Sequence, residues 1–234
     1  MLLRELNERS PLRVFENSIR GGLGAGNLGV VVARHGVGKT AFLIDIALDD
    51  LLRGRRVLHV TIGRTIDHVR EFYDEIFRDL AKASGLEDAA HVLREVELHR
   101  HIKAYLKGTF SVDHLRAHIA MLREMMDFVP VAVVMDGFDF EAASPGDIEA
   151  LKVIAADLKA EFWCAAHTHR TDPRDARGIP EPVAHVAEVF DVIVYMGRGR
   201  SSVQLSVLKD HGATGTQELS LALDPTTFLV RREN

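Results

Sequence analysis

The 234-residue sequence predicts an α/β fold in which a mostly parallel, twisted sheet is flanked by helices and extended by antiparallel β-hairpins at its C-terminal end. Two patterns predict it. Short runs rich in β-branched residues alternate with longer helical ones up to about residue 190, as a parallel sheet with crossover helices requires. Beyond that point the helices stop and three short apolar runs follow, separated by turn residues. The chain has room for one sizeable core, so residues 1–234 read as a single domain.

The first strand is LGVVVA, Leu28 to Ala33, followed by Arg56 to Ile62, Val131 to Asp136, Phe162 to Ala166 and Asp191 to Met196. These runs are continuous rather than alternating, as expected for strands covered on both faces. Thr40 to Leu52 carries Phe42, Leu43, Ile46, Ala47 and Leu51 at helical spacing, and Gly54 suits its C-terminal cap. Asp67 to Ala83, Val112 to Phe128 and Asp147 to Ala160 supply the other helices, with Ser111 capping the third and Ser144 or Gly146 near the start of the fourth. Val96 to Ile102 is a candidate for one more strand. The final runs SVQLSVL, QELSLAL and TTFLVRR, with Gly197, Gly199, Gly212, Gly215 and Asp224-Pro225 between and around them, form the antiparallel extension.

Composition narrows the function classes. Hydrophobic residues make up 47% and charged residues 27% of the chain, which are globular values. A net charge of −5 offers no overall basic surface for a nucleic-acid backbone. One cysteine, Cys164, excludes an intrachain disulfide and a multi-thiolate metal site and fits a reducing cytoplasm. No apolar window reaches the roughly 18 residues of a spanning helix, and the N-terminus does not read as a secretory signal, so a soluble cytoplasmic protein is expected.

The chemistry concentrates in ARHGVGKTA, Ala33 to Ala41. Phosphate-binding loops follow G-x-x-x-x-G-K-[ST], and only the first glycine is replaced here, by Ala33. That position ends the strand, whereas the anion cradle is made by the turn beside the lysine. His35, Gly36, Val37, Gly38, Lys39, Thr40 and Ala41 are therefore the candidate phosphate-binding residues. Backbone N–H groups and the helix N-terminus would hold the anion, Lys39 would meet the β- and γ-phosphates, and Thr40 would ligate Mg²⁺. VAVVMDGFD brings a carboxylate, Asp136, to the end of a second buried strand, where it would share the metal with Thr40. Asp139 is either a helper to the metal or a solvated acid.

Together with SIRGGLGAGNLG, CAAHTHR and VLKDHG, these stretches make roughly residues 18 to 230 resemble the RecA-like ATPases, in the branch of the KaiC-, RadA- and DnaB-type proteins. Gly21, Gly22, Leu23 and Gly26 fit that branch's GG-L-x-x-G element. The resemblance implies a RecA-like core, ATP with Mg²⁺, and a homo-oligomer, a hexamer in many relatives, assembled through its nucleotide interfaces. It also implies a sensor after the fourth strand, best matched by His167, and a lysine and arginine pair reaching a neighbouring subunit, matched by Lys209 with His211 at the arginine place.

One departure bears on rate. The family's water-polarising glutamate at the tip of the second core strand is replaced by Gly63 and Arg64, and the nearest acid is Asp67. The reading is an ATP-binding protein, a slow ATPase or nucleotide-dependent switch acting on a protein partner. The alternatives are a DNA-acting recombinase or helicase core and a scaffold that binds nucleotide without hydrolysing it. For the DNA-acting alternative, Arg170, Arg174 and Arg177 would meet single-stranded DNA, although Asp172, Asp175 and Glu181 dilute their charge and no aromatic side chain offers a stacking platform there. His91, His99, His101, His114 and His118 make the segment from 67 to 128 histidine-rich. His114 and His118 share a helix face without an H-E-x-x-H pattern, which favours a solvated or partner-facing helix over a metal site.

Overall fold

The computed structural model describes residues 1–199 and 202–232. Six strands run parallel: β1 (Leu28–Ala33), β2 (Val57–Ile62), β3 (Arg100–Tyr105), β4 (Ala132–Asp136), β5 (Glu161–His167) and β6 (Val192–Arg198). Three more, β7 (Val203–Asp210), β8 (Ala213–Leu223) and β9 (Val230–Arg232), add antiparallel to β6. The order across the sheet is β3-β2-β4-β5-β1-β6-β7-β8-β9. The expected α/β architecture with an antiparallel C-terminal extension is present.

Continuous apolar runs bury both faces because alternate residues serve two different cores. Along β1, Val31 and Ala33 face the layer of α3 (Lys39–Leu51), α4 (Ile66–Ser84) and α5 (Ala89–His99), while Leu28, Val30 and Val32 face the layer of α6 (Val112–Met126) and α7 (Pro145–Leu158). On β5, Trp163 and Ala165 join the first core and Phe162, Cys164 and Ala166 the second. Cys164 is thus a buried filler, and desolvation pushes its thiol upward beyond the titratable range.

Helix starts follow the sequence signals. Thr65, Ser111 and Ser144 accept hydrogen bonds from the backbone N–H groups of His68, His114 and Asp147, and Ser144 forms a capping box with Asp147.

Three expectations need correction. Val96 to Ile102 is not one strand: Val92 and Val96 bury one face of α5 through to His99, and β3 begins only at Arg100. TTFLVRR is largely a turn, because the Asp224 carboxylate accepts from the N–H groups of Thr226 and Thr227, leaving Val230–Arg232 as strand. Gly215 lies within β8 rather than in the turn, which is made at His211 and Gly212.

The N-terminus adds two helices without a counterpart among the sequence expectations, α1 (Leu3–Arg9) and α2 (Pro11–Ser18). Phe15 of α2 packs edge-on to Phe42 at 5.3 Å and against Trp163 at 5.8 Å. Around it, Arg13 and Arg53 pair with Glu16 and Asp49. Burial raises Glu16 to about 7 and Asp49 to about 6; Arg13 opposes the shift at both carboxylates, joined at Asp49 by the Ser10 hydroxyl and Arg55.

Candidate functional site

The carboxyl ends of β1, β2, β4 and β5 open into a cleft of about 1200 Å³. Its walls include His35, Gly36, Gly38, Lys39, Thr40 and Ala41 from the loop and the start of α3, Asp136 from β4, and His167 from β5. Parallel strands put their carboxyl ends on one side of the sheet, so residues far apart in sequence converge there.

The loop has the backbone that an anion cradle needs. Gly36 and Gly38 both take positive φ, 71° and 112°. A Cβ on Gly38 would come within 2.5 Å of Leu223 Cδ2, so the C-terminal extension braces the loop from behind and admits only glycine. Gly38 also opens α3, whose N-terminus is directed into the cleft wall. Val37 is buried in the core, anchoring the turn.

Lys39 Nζ donates to the carbonyl oxygens of Ala33 and Arg34 at 3.0 and 3.2 Å. Burial depresses its pKa, partly offset by Asp136, with Arg64 adding to the depression. Thr40 Oγ1 donates to Asp136 Oδ2 at 2.6 Å, although 96 residues separate them. The hydroxyl and the carboxylate proposed to share one divalent cation are therefore in direct contact.

His167 ends β5 beside Lys39. Its ring lies 6.0 Å from that of His35 and 4.5 Å from that of His169, each near perpendicular. Desolvation lowers its pKa, and the charge of Lys39 and the neighbouring imidazoles lower it further, which favours the neutral ring. Its buried Nδ1 has no hydrogen-bond partner among the described residues.

Other expected site residues go elsewhere. Lys209 is buried, donating to the carbonyls of Ala187 and Glu188 at 2.9 and 3.2 Å, with the Glu188 carboxylate at 3.7 Å. That ammonium ties β7 to the segment before β6. His211 contacts the Asp210 carboxylate at 2.6 Å and the Leu23 carbonyl at 2.9 Å. Asp139 does line the cleft, with its Oδ1 accepting from the N–H groups of Glu141 and Ala142 in a turn. Asp67 stands in the first turn of α4 with its side chain 85% exposed, outside the cleft lining.

The tip of β2 explains the absent acid. Gly63 has φ of 84°, its N–H donates to the Tyr105 carbonyl at 2.8 Å, and a Cβ would press on Lys107 at 3.1 Å. A glutamate at that position would meet both strain and a crowded neighbour. Arg64 follows, lining the cleft with Nη1 3.8 Å from Asp136 Oδ2.

Two arginines of the loop after β5 are engaged within the chain. Arg174 lies over the Tyr195 ring at 4.5 Å and donates to the Gly178 carbonyl, and Arg177 pairs with Asp175 and Glu188. Among the histidines between 91 and 118, the close pair is His101 with His118, Nε2 to Nε2 at 3.2 Å, while His114 turns to the Thr109 carbonyl. Among the described residues, no three His, Cys, Asp or Glu side chains are arranged to hold a metal ion, and no helix is long and apolar enough to cross a membrane.

No family model matches this sequence, and no curated protein matches it either.

The cleft also contains residues that carry no motif. Phe72 and Phe228 meet edge-to-face at 5.5 Å on its wall, and Phe110 and Phe138 at 5.7 Å on another part. Arg64, Lys107, Glu71 and Glu75 supply charge. Arg64 was visible in the sequence only as a missing acid; the others are brought in by tertiary packing.

Proposed function

We propose that this chain is an ATP-binding protein with a RecA-like core, acting as a slow ATPase or nucleotide-dependent switch upon a protein partner. The observation that carries the reading is the contact of Thr40 with Asp136 at 2.6 Å beside the loop that holds Lys39. A cleft whose wall combines positive-φ glycines, a helix N-terminus and a half-buried lysine suits a polyphosphate anion.

Mg²⁺ fits the donor set. A hydroxyl and a carboxylate are hard oxygen ligands, and a cation that keeps several waters and takes the remaining ligands from phosphates needs only one or two protein groups. Thr40 and Asp136 would hold it. When bound, it would neutralise charge on the β- and γ-phosphates.

This chain's own residues favour holding the nucleotide over turning it over. Lys39 supplies positive charge to the phosphates, and the glycine turn supplies N–H donors. The neutral imidazole of His167 stands at the strand tip beside Lys39. At the tip of β2 a guanidinium replaces the acceptor that would orient an attacking water, and Lys209 is consumed internally. A trans-acting cation contributes on the order of 10³ or more in turnover where present, so its loss points to slow hydrolysis. The engagement of Arg174 and Arg177 within their loop leaves less basic surface for single-stranded DNA and supports a protein partner.

The test combines thermal denaturation with phosphate release. Saturating Mg-ATP at 100 times its Kd is expected to stabilise the wild type by about 2.7 kcal/mol, and not the Lys39→Ala variant. Phosphate release should be slow under the same conditions. Equal stabilisation of both proteins, or of neither, overturns the proposal.

A further inference from the structure

Arg64 and Asp136 form a long ion pair in the cleft. The guanidinium Nη1 is 3.8 Å from Asp136 Oδ2, and that same oxygen accepts the Thr40 hydroxyl at 2.6 Å. One carboxylate oxygen thus serves two partners. The arginine is 40% exposed at the side chain, whereas Asp136 is only 11% exposed, so the arginine is the partner free to move. It lines the same void as Lys39, His35 and His167.

Resting on the nucleotide reading above, we propose that Arg64 is a specificity-determining residue that exchanges Asp136 for the terminal phosphate of a bound nucleoside triphosphate. A divalent cation held by Thr40 and Asp136 competes with the guanidinium for the carboxylate, because like charges repel in a partly desolvated site. The displaced guanidinium needs an anion, and its planar donor fork matches phosphate oxygens in a bidentate fashion. A diphosphate with the same metal leaves Arg64 without that partner.

The chemistry of the group decides its role. A guanidinium has donors only, so it cannot accept a proton from water or orient one as a carboxylate does. Its contribution falls on recognition of the third phosphate. The site then reports ATP against ADP from within a single chain, which is what a nucleotide-dependent switch requires.

The experiment is a calorimetric titration of Mg-ATP and Mg-ADP into the wild type, Arg64→Gln, Arg64→Lys and Lys39→Ala. Arg64 is exposed and outside the hydrophobic core, so its variants retain the fold, which circular dichroism verifies. Arg64→Gln should weaken Mg-ATP on the order of 10- to 100-fold, the range of a charge-assisted hydrogen bond, and leave Mg-ADP unchanged. Arg64→Lys should restore part of the ATP affinity. An equal effect on both nucleotides, or no effect, while Lys39→Ala loses both, overturns the role of Arg64 and keeps the nucleotide site. Failure of the wild type to bind either nucleotide overturns the site and the role together.

Discussion

At the scale of single residues, chemistry follows local surroundings more than residue type. His118 and His211 are two histidines with opposite fates. Burial, then Lys103 and His101, push His118 down to about 4. At His211 burial works against the charge, but the hydrogen bonds to Asp210 and to the Leu23 carbonyl prevail and raise it. The signs follow by linkage. The stabilisation from His211 is complete below its unfolded value near 6.5 and is lost as pH rises through the folded value. That from neutral His118 is present above about 6.5 and is lost as pH falls toward 4. Imidazole proton shifts followed by NMR should place the His118 midpoint near 4 and the His211 midpoint above the ordinary histidine value; coincident midpoints contradict the packing at both sites. The convergence of Thr40 and Asp136 was legible because each stands at or just past the carboxyl end of an apolar strand run, and parallel strands bring those ends together. The burial of Lys209 was not, since nothing in VLKDHG shows that its ammonium meets two carbonyls before β6.

At the scale of elements, the parallel strands were legible because double burial demands unbroken apolar runs, and LGVVVA and VAVVMD are short and rich in β-branched valine. The helices α1 and α2 were missed because each is short, seven and eight residues, with few apolar positions. Their stability comes from docking rather than propensity. Phe15, 2% exposed, carries that docking through Phe42 and Trp163. Phe15→Ala should cost about 3–5 kcal/mol, lowering Tm on the order of 10 °C. A loss under 1 kcal/mol in urea denaturation would mean that α2 is not part of the core. The segment around Val96 was misread for a related reason. VELHRHI has a strand-like alternation, but Val92 and Val96 lie one helical turn apart and the tertiary core takes the helix.

At the scale of the whole molecule, the topology separates an end that opens into the cleft from an extension that braces it. The carboxyl ends of the parallel strands make the cleft, and the antiparallel extension reaches back to support it, with Leu223 against Gly38 and Phe228 on the cleft wall. Both sheet edges carry charge that discourages strand-to-strand association: Arg100 and Lys103 on β3, Arg231 and Arg232 on β9. Self-assembly through the nucleotide interfaces, which the sequence resemblance implies, would not use these edges. Size-exclusion chromatography with light scattering should give a higher mass with Mg-ATP than without; an unchanged monomer mass contradicts an assembly built through the nucleotide. None of this braced geometry was legible in the sequence, because Leu223 and Phe228 reach the loop only after the chain has folded back on itself.

The proposed function rests on one cleft, and its occupancy is directly measurable. Calorimetric titration of Mg-ATP into the wild type should show saturable binding that Lys39→Ala abolishes while the variant remains folded. Identical isotherms for the two proteins, or no heat from either, would contradict the assignment of Gly36 to Ala41 and Asp136 as a nucleotide site.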